Sequence, residues 1–159
     1  AALDAFETWK TTTLEQRAQL VLSVAEIIRK RKFEFSAWMV FEVGKNWAEA
    51  DADVAELIDF AEFYAREALR LAKAEPPVQL PGERDLLRYI PLGVGIVIPP
   101  WNFPAAIMGG MTLASIVCGN TVVLKPSSDS PTIAAKFFEA LEQAGGILRL
   151  ILDDDGKTL

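Results

Sequence analysis

The sequence predicts an α/β fold in which a helical N-terminal part precedes a β-hairpin and the first part of a parallel sheet. The prediction rests on a change in the period of apolar residues along the chain. Apolar residues recur at helical spacing up to about residue 75. Beyond that point, the β-branched runs "VGIVI" (94–98) and "TVVL" (121–124) alternate with helical stretches at 104–118 and 131–145. Alternating strands and helices are typical of a parallel α/β sheet.

Helices are expected throughout residues 1–75, the N-terminal helical part. Thr13 can cap a helix through its hydroxyl group, and Gln16 three residues later completes a capping-box pattern. A second helical segment spans residues 33–45, and a third runs from about residue 48 to residue 74. The carboxylates of the third segment are expected on its solvated face, and the aromatic side chains of the second are expected in the core. These residues are Asp51, Asp53, Glu56, Asp59 and Glu62, and Phe33, Phe35, Trp38 and Phe41.

A connector and a hairpin are expected over residues 76–98. The stretch "PPVQLPGERD" (76–85) is too rich in proline and glycine for a regular helix or strand. "LLRYI" (86–90) and "VGIVI" (94–98) are two β-prone runs joined by "PLG", which is a turn pattern. Together they predict a β-hairpin. The last helical stretch is marked by Pro131 in its first turn and Gly145 at its end.

Composition and charge exclude several classes of function. The chain has 159 residues and a net charge of −6, which argues against a nucleic acid partner because phosphate binding requires a basic face. No uninterrupted apolar run reaches membrane-spanning length, and no signal-peptide pattern is present. A single cysteine cannot form an internal disulfide and favours a cytoplasmic location. The absence of histidine removes the commonest general base and metal ligand, and no metal site is predicted.

The stretch "GIVIPPWNFP" (95–104) points to a ligand site. A β-branched run ends at two prolines, and Asn102 follows; "TVVLKP" (121–126) likewise ends in a proline, beside Lys125. Ligands of open parallel sheets bind beyond the carboxyl ends of the strands. If the two strands are neighbours, both side chains face one crevice. There the Asn102 carboxamide could donate to an oxygen that gains negative charge, and Lys125 could reach a hydroxyl or phosphate of a nucleotide.

A purely structural interpretation of this pattern is also open, and on spacing alone it is the stronger of the two. Strands that end in proline, followed by a capping asparagine, occur in α/β folds that have no active site. Neither GxGxxG nor GxxxxGK[ST] is present in the chain, so both standard phosphate-binding loops are absent from the sequence.

Four stretches together resemble the aldehyde dehydrogenase superfamily: "PWNFP" (100–104), "GNTVVLKPS" (119–127), "AFETWK" (5–10) and "EVGKNWAEADADVAELIDFAEFYAR" (42–66). The similarity covers residues 1 to about 147. It is strongest to the branch that oxidises glutamate γ-semialdehyde, which is in equilibrium with 1-pyrroline-5-carboxylate. The resemblance implies an incomplete aldehyde dehydrogenase fold. It assigns an oligomerisation hairpin to residues 76–98, a partial Rossmann-like NAD(P)-binding unit to 94–146 and a divergent tail to 147–159.

The resemblance also implies roles for individual residues. Asn102 matches the asparagine that helps to stabilise the oxyanion of the thiohemiacetal, and Lys125 matches the lysine that holds the adenosine ribose of NAD(P). Ser128 stands where many NAD-preferring members have a glutamate that binds the ribose 2′-hydroxyl, so the choice between NAD and NADP stays open. The loop that lies along the cofactor matches Ile98, Pro99, Pro100 and Trp101.

The nucleophile of the family is not found among the matched residues. The resemblance places the catalytic cysteine, the glutamate base and a second cofactor loop beyond the last aligned residue. Cys118 is the single cysteine of the chain and ends an apolar helical run just before "GN". This position predicts a buried, inert thiol. The chain by itself is therefore expected to be inactive and to bind NAD or NADP weakly.

Two functions follow from these observations. The first is that of an N-terminal segment of an NAD(P)-dependent aldehyde dehydrogenase in proline catabolism. The alternative is a non-catalytic assembly module or truncated remnant that keeps the hairpin and the helices for association. Self-association is expected in either case because the apolar strands have too few partners. "LRLIL" (148–152) could add a strand, and the acidic run at 153–155 predicts a solvated turn in preference to a cation site.

Overall fold

The computed structural model describes residues 1–73 and 77–146. Within them the chain forms six helices and two strands. In chain order these are α1 (Ala2–Trp9), α2 (Leu14–Lys30), α3 (Lys32–Val43), α4 (Trp47–Ala72), β1 (Val94–Val97), α5 (Ala106–Val117), β2 (Thr121–Leu124) and α6 (Pro131–Gln143). β1 and β2 form a parallel two-stranded sheet, so the predicted α/β character is confirmed.

The ends of the N-terminal helices follow from local sequence signals. Gln16 N donates to Thr13 Oγ1 at 3.2 Å, and Thr13 N donates to Gln16 Oε1 at 2.9 Å, which completes the predicted capping box of α2. α3 ends at Gly44, whose φ of 69° lies in the left-handed region that favours glycine. Asn46 then caps α4 by accepting a hydrogen bond from Glu49 N at 2.9 Å.

One apolar core joins α2, α3, α4, α5 and α6. Its largest fully buried side chains are Val21, Val24, Ile28, Phe35, Met39, Val54, Leu57, Met108, Leu113, Val117, Ile133 and Phe137. On α4, Val54, Leu57 and Ala61 recur at helical spacing, as the sequence predicts. The apolar stripe of α4 is therefore the surface on which α2 and α5 pack.

α4 and α5 approach each other closely where α5 carries two adjacent glycines. A Cβ atom at Gly109 would lie 2.0 Å from Leu57 Cδ1, and one at Gly110 would lie 2.8 Å from Phe60 Cδ2. Neither distance is compatible with a side chain. The two glycines therefore set the short separation between these helices.

The predicted hairpin over 86–98 is wrong. Residues 86–90 form no strand and are exposed to solvent. β1 pairs with β2 and not with residues 86–90. Asn120 Oδ1 accepts hydrogen bonds from Leu92 N at 2.6 Å and from Gly93 N at 3.0 Å, which ties the expected turn to the start of β2. A two-stranded hairpin is marginally stable in water without a surface to pack against. The described part of the chain offers residues 86–90 no such surface.

Burial differs from the prediction at several helical positions. Asp53 is only 2% exposed and does not lie on a solvated face, because α4 passes beneath the N-terminus of α5 at this point. Of the four aromatic residues of α3, Phe35 is fully buried as predicted. Phe33 and Phe41 are 79% and 81% exposed, and Trp38 is partly exposed. The aromatic prediction is therefore correct for one residue and wrong for three.

Cys118 is exposed, which corrects the expectation of a buried thiol. It is the first residue after α5, and Gly119 turns the chain away with a φ of 88°. The last carbonyl groups of α5 accept hydrogen bonds from other side chains, Val117 O from Arg17 Nε at 2.9 Å and Ile116 O from Trp9 Nε1 at 3.0 Å. The helix end is thus held by these two side chains, and the thiol faces solvent.

No helix in residues 1–73 or 77–146 combines the length and the hydropathy needed to cross a bilayer. The strand expected at 148–152 and the acidic turn expected at 153–155 lie outside the described residues.

We expect Gly109→Ala to destabilise the chain by about 1–3 kcal/mol, the usual cost of adding atoms to a well-packed core. The added methyl group would overlap Leu57 Cδ1, and this cost exceeds the gain from alanine's higher helix propensity. Urea unfolding followed by circular dichroism measures the change. In a Leu57→Ala background, which removes the overlapping atom, the same substitution should cost less. An equal or greater cost in that background would contradict the close contact.

We expect the Cys118 thiol to react with a soluble aromatic disulfide reagent as readily in the native chain as in the denatured chain, because it is exposed. Release of the coloured thiolate gives the rate, and Cys118→Ser provides the blank. A thiol that reacts only after denaturant is added would show that Cys118 is buried and would contradict the structure.

Candidate functional site

The carboxyl ends of β1 and β2 lie side by side. In the parallel register Val97 is paired with Leu124, and Lys125 N donates to Val97 O at 2.9 Å. Ile98 and Lys125 therefore leave the sheet at the same edge. The strands are neighbours, as the proposed crevice requires, and the loops that follow them are brought together.

The first loop, residues 98–105, is anchored by buried prolines. Pro99 and Pro104 are buried and hold the loop against the body of the chain. The other predicted site residues of this loop, Ile98, Pro100, Trp101 and Asn102, are exposed. The Asn102 carboxamide makes no hydrogen bond to any residue in 1–73 or 77–146. Its amide group is therefore available as a donor at the edge of the sheet.

The second loop carries Lys125 and Ser128. Both side chains are exposed, whereas Pro126 and Ser130 are buried and anchor the loop at either end. Within the described residues the Lys125 ammonium forms no ion pair. Loop two thus offers a cation and a neutral hydroxyl group on the same edge as Asn102.

A shallow cleft of about 270 Å³ separates the C-terminal end of α3 from the two loops, and it is lined by Glu42, Val43, Trp101 and Asp129. The Glu42 carboxylate is already engaged, because Oε1 accepts from Thr132 N at 2.6 Å and Oε2 accepts from Ile133 N at 2.9 Å. A carboxylate at a helix N-terminus is stabilised by the helix dipole. Glu42 therefore fixes the start of α6 and, with it, the end of the second loop.

Sequence reasoning missed a buried ion pair behind the first loop. Asp53 Oδ2 accepts from Lys45 Nζ at 2.5 Å, and Asp53 Oδ1 accepts from Ala106 N at 2.7 Å. A signal for this was present, since Asp53 lies on the same helical face as Val54 and Leu57, which form the buried stripe of α4. The structure therefore adds Glu42, Lys45 and Asp53 to the site as residues that hold its loops.

Comparison with curated proteins identifies relatives of this chain. A family model described as "Aldehyde dehydrogenase family" matches residues 1–155. The 1-pyrroline-5-carboxylate dehydrogenase of Geobacillus kaustophilus is 56% identical over 151 residues, which are 93% of this chain and 29% of that protein. The enzyme of the same name from Bacillus pumilus is 57% identical over 145 residues, which are 91% and 28% of the two chains. The chain thus spans less than a third of the length of these relatives.

Solved structures give the same result. The crystal structure of 1-pyrroline-5-carboxylate dehydrogenase from Thermus with bound NAD has a TM-score of 0.87 and 51% identity, covering 91% of this chain and 28% of that chain. Proline utilization A from Bdellovibrio bacteriovorus has a TM-score of 0.88 and 46% identity over 91% of this chain and 15% of that chain. The family model covers nearly the full sequence and the fold agrees, so the chain belongs to the aldehyde dehydrogenase family.

Proposed function

We propose that the chain forms the part of a 1-pyrroline-5-carboxylate dehydrogenase that carries the oxyanion asparagine and one side of the NAD(P) site. The reaction of the whole enzyme would be the oxidation of glutamate γ-semialdehyde to glutamate. The observation that carries the proposal is the exit of the Asn102 loop and the Lys125 loop at one edge of the parallel sheet. The names of relatives at 56% and 57% identity support the choice of substrate.

The residues at this edge fit the nucleoside part of a dinucleotide. Lys125 supplies an exposed ammonium group for ribose hydroxyls, while Ile98 and Trp101, which are 65% and 52% exposed, supply apolar surface. Ser128 is neutral, so it would not repel a 2′-phosphate, and both NAD and NADP suit this position. When bound, NAD(P) would supply the hydride acceptor for the oxidation. The residues of this chain would orient the nucleotide and exclude water from one side of it.

Asn102 would act on the substrate oxygen. An amide N–H held at the edge of the sheet can donate to an oxygen that becomes negatively charged as a nucleophile attacks the aldehyde carbon. A single preorganised donor of this kind typically lowers the barrier by about 3 kcal/mol. The exposure of Asn102 and its lack of a partner among the described residues are consistent with this role.

We expect the chain to bind NAD with a dissociation constant near millimolar, which corresponds to a binding free energy of about 4 kcal/mol. The binding is weak because the sequence contains no glycine-rich loop for the pyrophosphate. Lys125→Ala should weaken this binding severalfold by removing the ribose donor. Lys30→Ala, which alters an exposed lysine on α2, is the matched control and should have no effect. Isothermal titration calorimetry measures both. Micromolar binding that Lys125→Ala leaves intact would contradict the proposed site.

A second function, association between copies of the chain, is favoured by a specific observation. The segment 86–96 presents a run of exposed apolar side chains: Leu86, Leu87, Tyr89, Ile90, Leu92 and Ile96. Exposed apolar runs of this kind mark association surfaces. We propose that this segment forms a contact with a second copy, for which closed two-fold pairing is the commonest outcome.

We expect sedimentation at micromolar concentration to show a species heavier than the 17.5 kDa chain. Ile90→Asp should shift the equilibrium toward the monomer, because it places a charge in the apolar run without disturbing a buried residue. Phe63→Asp, at an exposed aromatic residue of α4, is the control and should leave the association unchanged. A monomer at every concentration would rule out this surface, and equal effects of the two variants would place the contact elsewhere.

A further inference from the structure

Apart from its buried prolines, Pro99 and Pro104, the loop that carries Asn102 is restrained mainly at its two ends. Val97 O accepts from Lys125 N where β1 ends, and Phe103 O accepts from Ile107 N at 3.2 Å where α5 begins. In the described part of the chain, no backbone hydrogen bond is made by residues 98–102. The direction of the Asn102 carboxamide therefore depends on how firmly the two ends of this segment are held.

The buried carboxylate of Asp53 holds the downstream end. Its Oδ1 accepts from Ala106 N, the first residue of α5, at 2.7 Å. The partner lies 53 residues away in sequence, so the bond fastens the loop to α4. A charge-assisted bond to a helix N-terminus also gains from the helix dipole. The backbone four residues after Asn102 is thereby fixed to the helical layer.

The ammonium group of Lys45 holds the residue next to Asn102. Lys45 Nζ lies 4.1 Å from the ring centroid of Phe103 and donates to Asp53 Oδ2 at 2.5 Å. A cation over the face of an aromatic ring is attracted by the ring quadrupole. Asp53 orients the ammonium group, and the ammonium group orients the Phe103 ring. The side chain of the residue that follows Asn102 is thus tied to the same ion pair.

Stability alone does not account for an ion pair at this position. The side chains of Asp53 and Lys45 are 0% and 11% exposed, so both charges are removed from water. Replacing such a pair by well-packed apolar residues is often neutral or stabilising. Apolar residues could pack against the Phe103 ring, but they could not accept the hydrogen bond from the Ala106 amide.

We propose that Asp53 and Lys45 are positioning residues for Asn102, and that their ion pair sets the direction of its carboxamide through Ala106 and Phe103. The catalytic value of this arrangement rests on the function proposed above for Asn102. The arrangement itself is a property of the chain without nucleotide. Failure of the positioning is therefore distinguishable from failure of nucleotide binding at Lys125.

The experiment compares two charge-removing double variants by NMR. Lys45→Met with Asp53→Asn removes both charges, keeps the side-chain sizes and leaves an acceptor for Ala106 N. Lys32→Met with Asp51→Asn does the same to a second Lys–Asp pair between α3 and α4, whose atoms are 2.8 Å apart and partly exposed. The readouts are the side-chain NH2 resonances of Asn102, assigned by their loss in Asn102→Ser, and the hydrogen exchange rate of the Ala106 amide.

In the Lys45/Asp53 variant we expect the Asn102 resonances to shift and the Ala106 amide to exchange roughly fivefold faster, because a charge-assisted bond becomes a neutral one. The Lys32/Asp51 variant should change neither readout, and Lys45→Arg should keep the native Asn102 resonances. Unchanged Asn102 resonances combined with faster Ala106 exchange would overturn the proposal and leave Asp53 as a helix cap only.

If the double variant fails to fold, Phe103→Leu supplies the same test. This partly exposed ring contacts Lys45 but lies outside the core, and its removal keeps both members of the ion pair in the chain. The Asn102 resonances should shift while the Ala106 exchange rate stays native. Native Asn102 resonances in Phe103→Leu would overturn the route through Lys45.

Discussion

The attachment of α5 at both ends is the constraint on which the rest of the structure depends. Asp53 binds the backbone amide of Ala106 at the N-terminus, and Arg17 donates to Val117 O at the C-terminus. The negative charge lies at the positive end of the helix dipole and the positive charge at its negative end. Both side chains are almost fully buried, so solvent screens these interactions little. α5 is held between α2 and α4 by complementary charges.

Because α5 connects the two strands, fixing this helix also fixes the sheet. The helix begins where the loop after β1 ends and finishes just before β2 starts. Gly109 and Gly110 let it approach Leu57 and Phe60 on α4 more closely than any larger residue would allow. A helix held this close to α4 brings β1 and β2 into parallel register without a third described strand.

The helical layer supplies a carboxylate to each loop at the edge of the sheet. Asp53 binds the first turn of α5 and Glu42 binds the first turn of α6. These two helices follow the loops that carry Asn102 and Lys125. The loops therefore expose the side chains of Asn102 and Lys125 while their downstream ends stay fixed. A site on loops gains its precision from such supporting contacts.

Features that depend on neighbours in sequence were determined by the sequence itself. The capping box at Thr13, the left-handed glycine at Gly44 and the proline in the first turn of α6 act within one helical turn, so their patterns predicted the helix ends. The proline-terminated strands likewise placed Asn102 and Lys125 beyond strand ends. The motifs around these two residues are specific enough for the sequence alone to indicate the family.

Other features were decided only by tertiary contacts. Asp53 is buried because its partner is a backbone amide 53 residues away, a distance over which helical periodicity carries no information about charge pairing. Residues 86–90 have β propensity but no strand or surface to pair with among the described residues, and Asn120 binds the backbone at the intended turn. Cys118 follows an apolar run, yet the end of α5 is closed by Arg17 and Trp9 while the thiol faces solvent. In each case the free energy of the local conformation depends on which distant group packs or bonds against it, and that is decided only in the folded chain.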